Sequence, residues 1–214
     1  VSAKGRGTVV EPNEDYSTPM WCARRFFEAW LPPPGVIVEP CVGEGNIVKA
    51  FGQSVHRIDP WDWVTYDIRN TRACDDFPGV DFLTSDETRD DVTAVITNPP
   101  FSKAEDFIRH CRLLYDYADI AMLLRLNFLG SAERADLWKD IGMPDLYVLP
   151  NRPSFVKGKS DSCEYAWMVW PRGNPRSIGS VRTLASTPLV ERRFEMDFRD
   201  DDLTASPADG ILLP

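Results

Sequence analysis

Four consecutive residues, Asn98-Pro99-Pro100-Phe101, combine types that rarely meet by chance. They follow the β-branched run Val92 to Thr97, so a predicted strand stops at an asparagine and two prolines. Two prolines in a row fix φ and remove two backbone donors, which makes a stiff, irregular corner whose carbonyls are left to point outward as acceptors. A second segment, Glu39-Pro40-Cys41-Val42-Gly43-Glu44-Gly45, follows Val36 to Val38 and precedes a helical stretch from Asn46 to Phe51. A helix N-terminus after a buried strand presents N–H groups, and glycines let a ligand approach the backbone closely. Something anionic or polar can therefore bind there. Two glycines rather than three weaken a dinucleotide reading, and no lysine follows as it would in a phosphate-cradling loop. A tight strand-to-helix turn that needs glycine is the simpler alternative.

Other chemistries have less support. His56 and His110 are the only histidines, and Cys22, Cys41, Cys74, Cys111 and Cys163 are odd in number, widely spaced and form no CxxC pair. No metal site and no disulfide framework is expected, and a reducing cytoplasm, bacterial or that of a phage-infected host, fits best. No apolar run approaches the roughly 18 residues needed to span a membrane, and no signal peptide opens the chain. The net charge is −9. Residues 194–214 contribute six acids (Glu195, Asp197, Asp200, Asp201, Asp202, Asp209) against Arg199, leaving the body only mildly acidic. A local basic face remains open to it, with Arg152, Lys157 and Lys159 as candidates; solvated loop charges are the plainer reading. The seven tryptophans read as core and helix packing rather than an aromatic cage.

The elements that must position these residues alternate along the chain. Residues 1–15 read as a flexible arm, 16–193 as one domain and 194–214 as an acidic tail. A helix is predicted from Pro19 to Trp30, with Thr18 as N-cap, and Pro32-Pro33-Pro34-Gly35 ends it. Strands are predicted at Val36 to Glu39, Val64 to Ile68, Val80 to Leu83, Val92 to Thr97 and Ile120 to Leu126. Helices are predicted at Asn46 to Phe51, Lys103 to Tyr115 and Ala132 to Lys139. Two last strands, Leu146 to Leu149 and Glu164 to Trp170, flank a long polar loop. Strands alternating with helices indicate an α/β fold with a parallel, doubly wound sheet.

With an acid before a G-x-G loop and Asn-Pro-Pro-Phe downstream, the chain resembles the class I S-adenosylmethionine (SAM)-dependent methyltransferases, and by motif order their DNA adenine-N6 group, in a small form such as phages encode. The resemblance spans about Tyr16 to Trp170. It implies a Rossmann-like fold: a mostly parallel seven-stranded sheet, an antiparallel last strand and helices on both faces. It implies SAM as cofactor, with Gly43 and Gly45 beside its methionyl part and Glu39 and Pro40 organising the loop. Asp67 would hold the ribose, with Asp59 and Asp62 as competitors; Asp81 would accept from the adenine amino group and Phe82 pack on its ring, unless Phe82 is a plain core residue. Tyr16 and Thr18 would close over the cofactor. Asn98 and the Pro99 carbonyl would accept both hydrogens of the target amine, with Pro100 stiffening the corner and Asn98 also lining the cofactor site. Phe101 would stack on the target ring, Phe155 would pack on its other face, and Arg152, Lys157 and Lys159 would hold phosphates. N6 cannot be reached inside a stacked duplex, so the base must be extruded.

The implied partner is DNA, with no membrane and no obligate protein partner. The rivals are an RNA adenine-N6 methyltransferase, a protein glutamine-N5 methyltransferase and a non-catalytic SAM-binding subunit. The glutamine enzymes usually carry a helical domain ahead of the glycine loop, and only about 35 residues precede it here. A degenerate subunit need not keep Asn98 to Phe101.

Overall fold

The computed structural model describes residues 17–55, 60–155, 162–173 and 179–192. The expected arm and acidic tail lie outside them, except that Ser17 to Arg192 covers the domain with internal gaps. Among the described residues eight strands form one sheet: β1 (Gly35–Glu39), β2 (Trp61–Asp67), β3 (Phe77–Pro78), β4 (Val92–Thr97), β5 (Asp119–Arg125), β6 (Asp145–Val148), β7 (Tyr165–Trp170) and β8 (Val181–Thr183). Their order is β3-β2-β1-β4-β5-β7-β6-β8. Neighbours are parallel except at β7, which runs antiparallel to both β5 and β6. The antiparallel strand is thus the seventh, and an eighth follows it in parallel with β6.

Period-two alternation on the strands divides the core into two layers. Val36, Val38, Val95, Ile120, Met122 and Met168 face one side, against Phe107, Ile108 and Cys111 of α3 (Ala104–Leu114) and Leu137 and Ile141 of α4 (Ala135–Ile141). Ile37, Ala94, Ile96, Ala121, Leu123 and Trp167 face the other, against Trp21 and Phe26 of α1 (Met20–Phe27) and Ile47 and Phe51 of α2 (Asn46–Ser54). Helices therefore cover both faces of a sheet whose central strands are buried along nearly their whole length, as a doubly wound sheet requires. The tryptophans pack as expected: Trp167 stacks on Phe26 at 4.6 Å and donates to the Cys22 carbonyl, and Trp170 donates to the Gly142 carbonyl.

Three local expectations need correction. Val80 to Leu83 is no strand: β3 lies just before it, and Phe82–Thr84 forms a 3-10 turn because the Asp81 carboxylate accepts from the Leu83 N–H. Thr18 does not cap α1, since Pro19 holds that position in extended backbone and Met20 begins the helix, which ends at Phe27 instead of Trp30. The helix after β5 starts at Ala135, preceded by a separate 3-10 turn at Ala132–Arg134 that the Ser131 side chain caps.

Candidate active site

Parallel strands direct their C-terminal ends to one edge of the sheet, and in open α/β sheets ligands bind outside that edge. Glu39, Asp67 and Arg125 end β1, β2 and β5, and Asn98 follows the last residue of β4. The loop after β1 is held open by its glycines: Gly43 and Gly45 have φ of 56° and 74°, which only glycine adopts without strain. At Gly45 a Cβ would also stand 3.0 Å from that of Ala73. The loop is tied to the end of β2, where Val42 N–H donates to the Tyr66 carbonyl at 3.0 Å and Gly43 N–H to Asp67 Oδ2 at 2.8 Å. It is tied to the N-terminal segment as well. Ser17 donates to Glu44 Oε2 at 2.7 Å, and the Asn46 amide donates to Ser17 Oγ and to the Thr18 carbonyl. Thr18 is buried beside the loop, while Tyr16 lies outside the described residues.

Glu39 carries the sharpest electrostatic signal. It is 1% exposed, and its Oε2 is buried with no hydrogen-bond partner among the described residues. Burial, and then the nearby Asp67 carboxylate, push its carboxyl well above the usual range. A buried polar atom without a partner is costly, and where one persists an absent ligand is a ready explanation. Burial also pushes the Cys41 thiol up.

Of the three candidate acids near β2, Asp67 is the one at the strand end, buried against the glycine loop. Asp62 is exposed and accepts from the neighbouring Trp63 N–H, and Asp59 lies outside the described residues. The Asp67 carboxylate also accepts from Arg69, a residue that motif reading missed. Asp81 spends one oxygen on its own turn. Phe82 is buried between Tyr66, Phe107 and His110, the packing that the plain core reading of this ring describes.

The Asn-Pro-Pro-Phe corner connects β4 to α3. Asn98 is half-buried with its Oδ1 inside, Pro99 is buried, and the Pro100 carbonyl accepts from Lys103 to start the 3-10 turn Phe101–Lys103. Phe101 is partly exposed and joins an aromatic group with Phe155 at 6.1 Å and Tyr165 at 5.6 Å between ring centroids. Phe155, expected across a target ring from Phe101, here meets Phe101 itself, and the two rings leave no gap for a third between them. The Arg125 guanidinium stands 4.7 Å over the Phe101 ring, and Arg125 Nε donates to the Tyr165 hydroxyl at 3.0 Å. Neither Arg125 nor Tyr165 was foreseen; the available hint was a lone arginine closing the apolar run Ile120 to Leu124.

Arg152, expected at a phosphate, is engaged on the surface within the chain. It forms an exposed ion pair with Glu164 through Nε and Nη2, and this guanidinium holds the Glu164 carboxyl below the usual range. Lys157 and Lys159 lie outside the described residues. Among the described residues, no cluster of His, Cys, Asp and Glu is placed to hold a metal ion, and no helix is long and apolar enough to cross a membrane.

No family model and no curated protein matches the sequence. Solved structures do match in shape. A type I restriction-modification methyltransferase subunit from Streptococcus thermophilus aligns over 74% of this chain and 45% of its own, with 15% identity and a TM-score of 0.55. The M protein of the type I restriction enzyme EcoKI aligns over 79% and 48%, with 16% identity and a TM-score of 0.57. A putative class I SAM-dependent methyltransferase from Listeria monocytogenes aligns over 83% and 68%, with 12% identity and a TM-score of 0.54. The chain spans less than half the length of the first two. Strand order, the single antiparallel strand and these likenesses together identify the architecture as the Rossmann-like class I methyltransferase fold.

Proposed function

We propose that the protein is a SAM-dependent methyltransferase that acts on an exocyclic amino nitrogen, N6 of adenine in DNA. One observation carries the reading. The Asn98-Pro99-Pro100-Phe101 corner ends β4, and β4 pairs with β1, which feeds the glycine loop, so an amine-binding corner and a nucleoside-binding loop open on one edge of the sheet. The likeness to modification subunits of type I restriction enzymes supports DNA as the polymer.

The residues present fit the cofactor. The unpartnered Glu39 Oε2 suits a ligand that brings a cation or N–H donors, and the methionyl ammonium of SAM brings both. The bare backbone at Gly43 and Gly45 admits close approach, and the Asp67 carboxylate suits a pair of ribose hydroxyls. When bound, SAM supplies a methyl group activated on a sulfonium.

The chain's own work is positioning. Asn98 Oδ1 and the Pro99 carbonyl accept the two hydrogens of the target amine, which turns the nitrogen lone pair away from them and toward the methyl. Phe101 supports the ring. The new N–C bond forms as the S–C bond breaks, S-adenosylhomocysteine is left, and the nitrogen releases one proton to water. No covalent enzyme intermediate is needed, so orientation and fixed dipoles supply the rate.

RNA is a second reading, since the Asn98-Pro99-Pro100-Phe101 corner offers acceptors for an amino group and nothing at the sugar that tells the two polymers apart. Transfer of labelled methyl from SAM to unmethylated genomic DNA and to structured RNA, with nucleoside analysis, tests both. N6-methyladenine in DNA supports the first reading; product in RNA alone supports the second; no product on either sinks both.

A further inference from the structure

Asp67 accepts four hydrogen bonds, and three come from a single residue. The backbone N–H and Nε of Arg69 reach Oδ1 at 2.8 and 3.1 Å, and Nη2 reaches Oδ2 at 3.3 Å. Gly43 N–H provides the fourth, to Oδ2 at 2.8 Å. An ionised carboxylate offers about four acceptor positions. Asp67 is saturated. Its side chain is 4% exposed against 36% for Arg69, so the guanidinium covers a carboxylate that would otherwise meet solvent. The same head lies over the glycine loop, because a Cβ built on Gly43 would stand 3.7 Å from Arg69 Nη2.

A ribose diol offers two donors to one carboxylate. To use Asp67 it must take the positions of Nε and Nη2, the two longest of the four bonds, while both backbone donors stay. We infer that Arg69 is an internal competitor for the ribose subsite, leaving Asp67 when a nucleoside binds and returning as the nucleoside departs. The inference rests on the cofactor reading above and adds a residue that sets affinity at the same site. The displaced head has solvent on one side, since 36% of the Arg69 side chain is already exposed. Because the guanidinium and the diol exclude each other, Arg69 weakens binding of both SAM and S-adenosylhomocysteine and hastens release of the spent product.

Titration calorimetry of the full chain with S-adenosylhomocysteine, adenosine and 2′,3′-dideoxyadenosine tests this, comparing the unaltered protein with Arg69→Ala and Arg69→Lys, each checked for folding by circular dichroism. Losing a paired, charge-assisted contact that competes with the ligand should tighten S-adenosylhomocysteine and adenosine roughly tenfold in Arg69→Ala. Arg69→Lys should fall between, since an ammonium cannot reproduce the forked contact. Dideoxyadenosine, which does not compete for Asp67, should gain nothing. Equal or weaker S-adenosylhomocysteine binding by folded Arg69→Ala, or an equal gain for dideoxyadenosine, overturns the inference alone. Absence of S-adenosylhomocysteine binding in all three proteins overturns it together with the cofactor reading.

Discussion

Phe101 and Phe155 meet edge to face, their ring centroids 6.1 Å apart and their planes at 71°. A base held between two parallel rings needs about 7 Å from plane to plane, two stacking distances of about 3.5 Å. The pair as it stands cannot sandwich a base, so Phe155 must swing aside when one enters, or Phe101 must support the ring alone. The two residues should then separate by experiment. Phe101→Ala should lower kcat/KM by roughly 5- to 150-fold, the loss of one stacking contact worth about 1–3 kcal/mol. Phe155→Leu keeps apolar bulk at this buried position and should cost less than tenfold. Steady-state kinetics on a DNA substrate checks both, and equal losses would contradict the asymmetry.

Glu39 should oppose stability and favour binding. Its carboxyl is raised by burial and by Asp67, so the folded protein holds this proton more tightly than the unfolded chain does. Stability from this group is fully present below the ordinary value of 4.5 and is lost as pH rises through the folded value. Glu39→Gln should therefore raise the melting temperature of the cofactor-free protein near neutral pH by several degrees, roughly 2–4 °C per kcal/mol at this size, and flatten that part of its pH dependence. The same variant should weaken SAM binding about tenfold or more, because the ammonium loses its counter-charge. Scanning calorimetry across pH and a binding isotherm test the two halves, and a variant that both melts lower and binds normally would refute them.

The glycine loop and the Asn-Pro-Pro corner were readable because their geometry is local: glycines at positive φ and prolines at a strand end act on their own backbone. The strand and helix alternation was readable from side-chain period. What is not legible depends on contacts distant along the chain. Phe82 reads as an aromatic beside an acid, and its packing on Tyr66 and Phe107 has no local signal. Arg125 reaches its role through Tyr165, 40 residues away, and Asp67 meets Gly43 across 24. A two-residue strand such as β3 has no period to read.

Gly45→Ala should damage the loop from inside. The position has φ of 74° and a Cβ there would press on Ala73 at 3.0 Å, so the substitution adds a strained backbone to a close contact. A loss of about 1–3 kcal/mol in folding stability is expected, with cofactor affinity falling as the loop shifts. Urea unfolding and a binding isotherm check this; unchanged values in both would show that the loop tolerates a side chain.

Arg152→Ala should change little, because its charge is already met by Glu164 on the surface. The melting temperature should move by no more than roughly 2 °C, and the salt dependence of DNA binding should keep its slope. A slope reduced by about one unit would assign Arg152 to a phosphate after all.

The most direct test of the account is Asn98→Ala, read for binding and for chemistry at once. The account predicts that the variant binds S-adenosylhomocysteine within about threefold of the unaltered protein while N6-methyladenine formation on DNA falls by at least 100-fold, the scale of losing one oriented acceptor at a reacting nitrogen. Methyl transfer that survives in a folded Asn98→Ala protein would contradict the assignment of the amine to this corner.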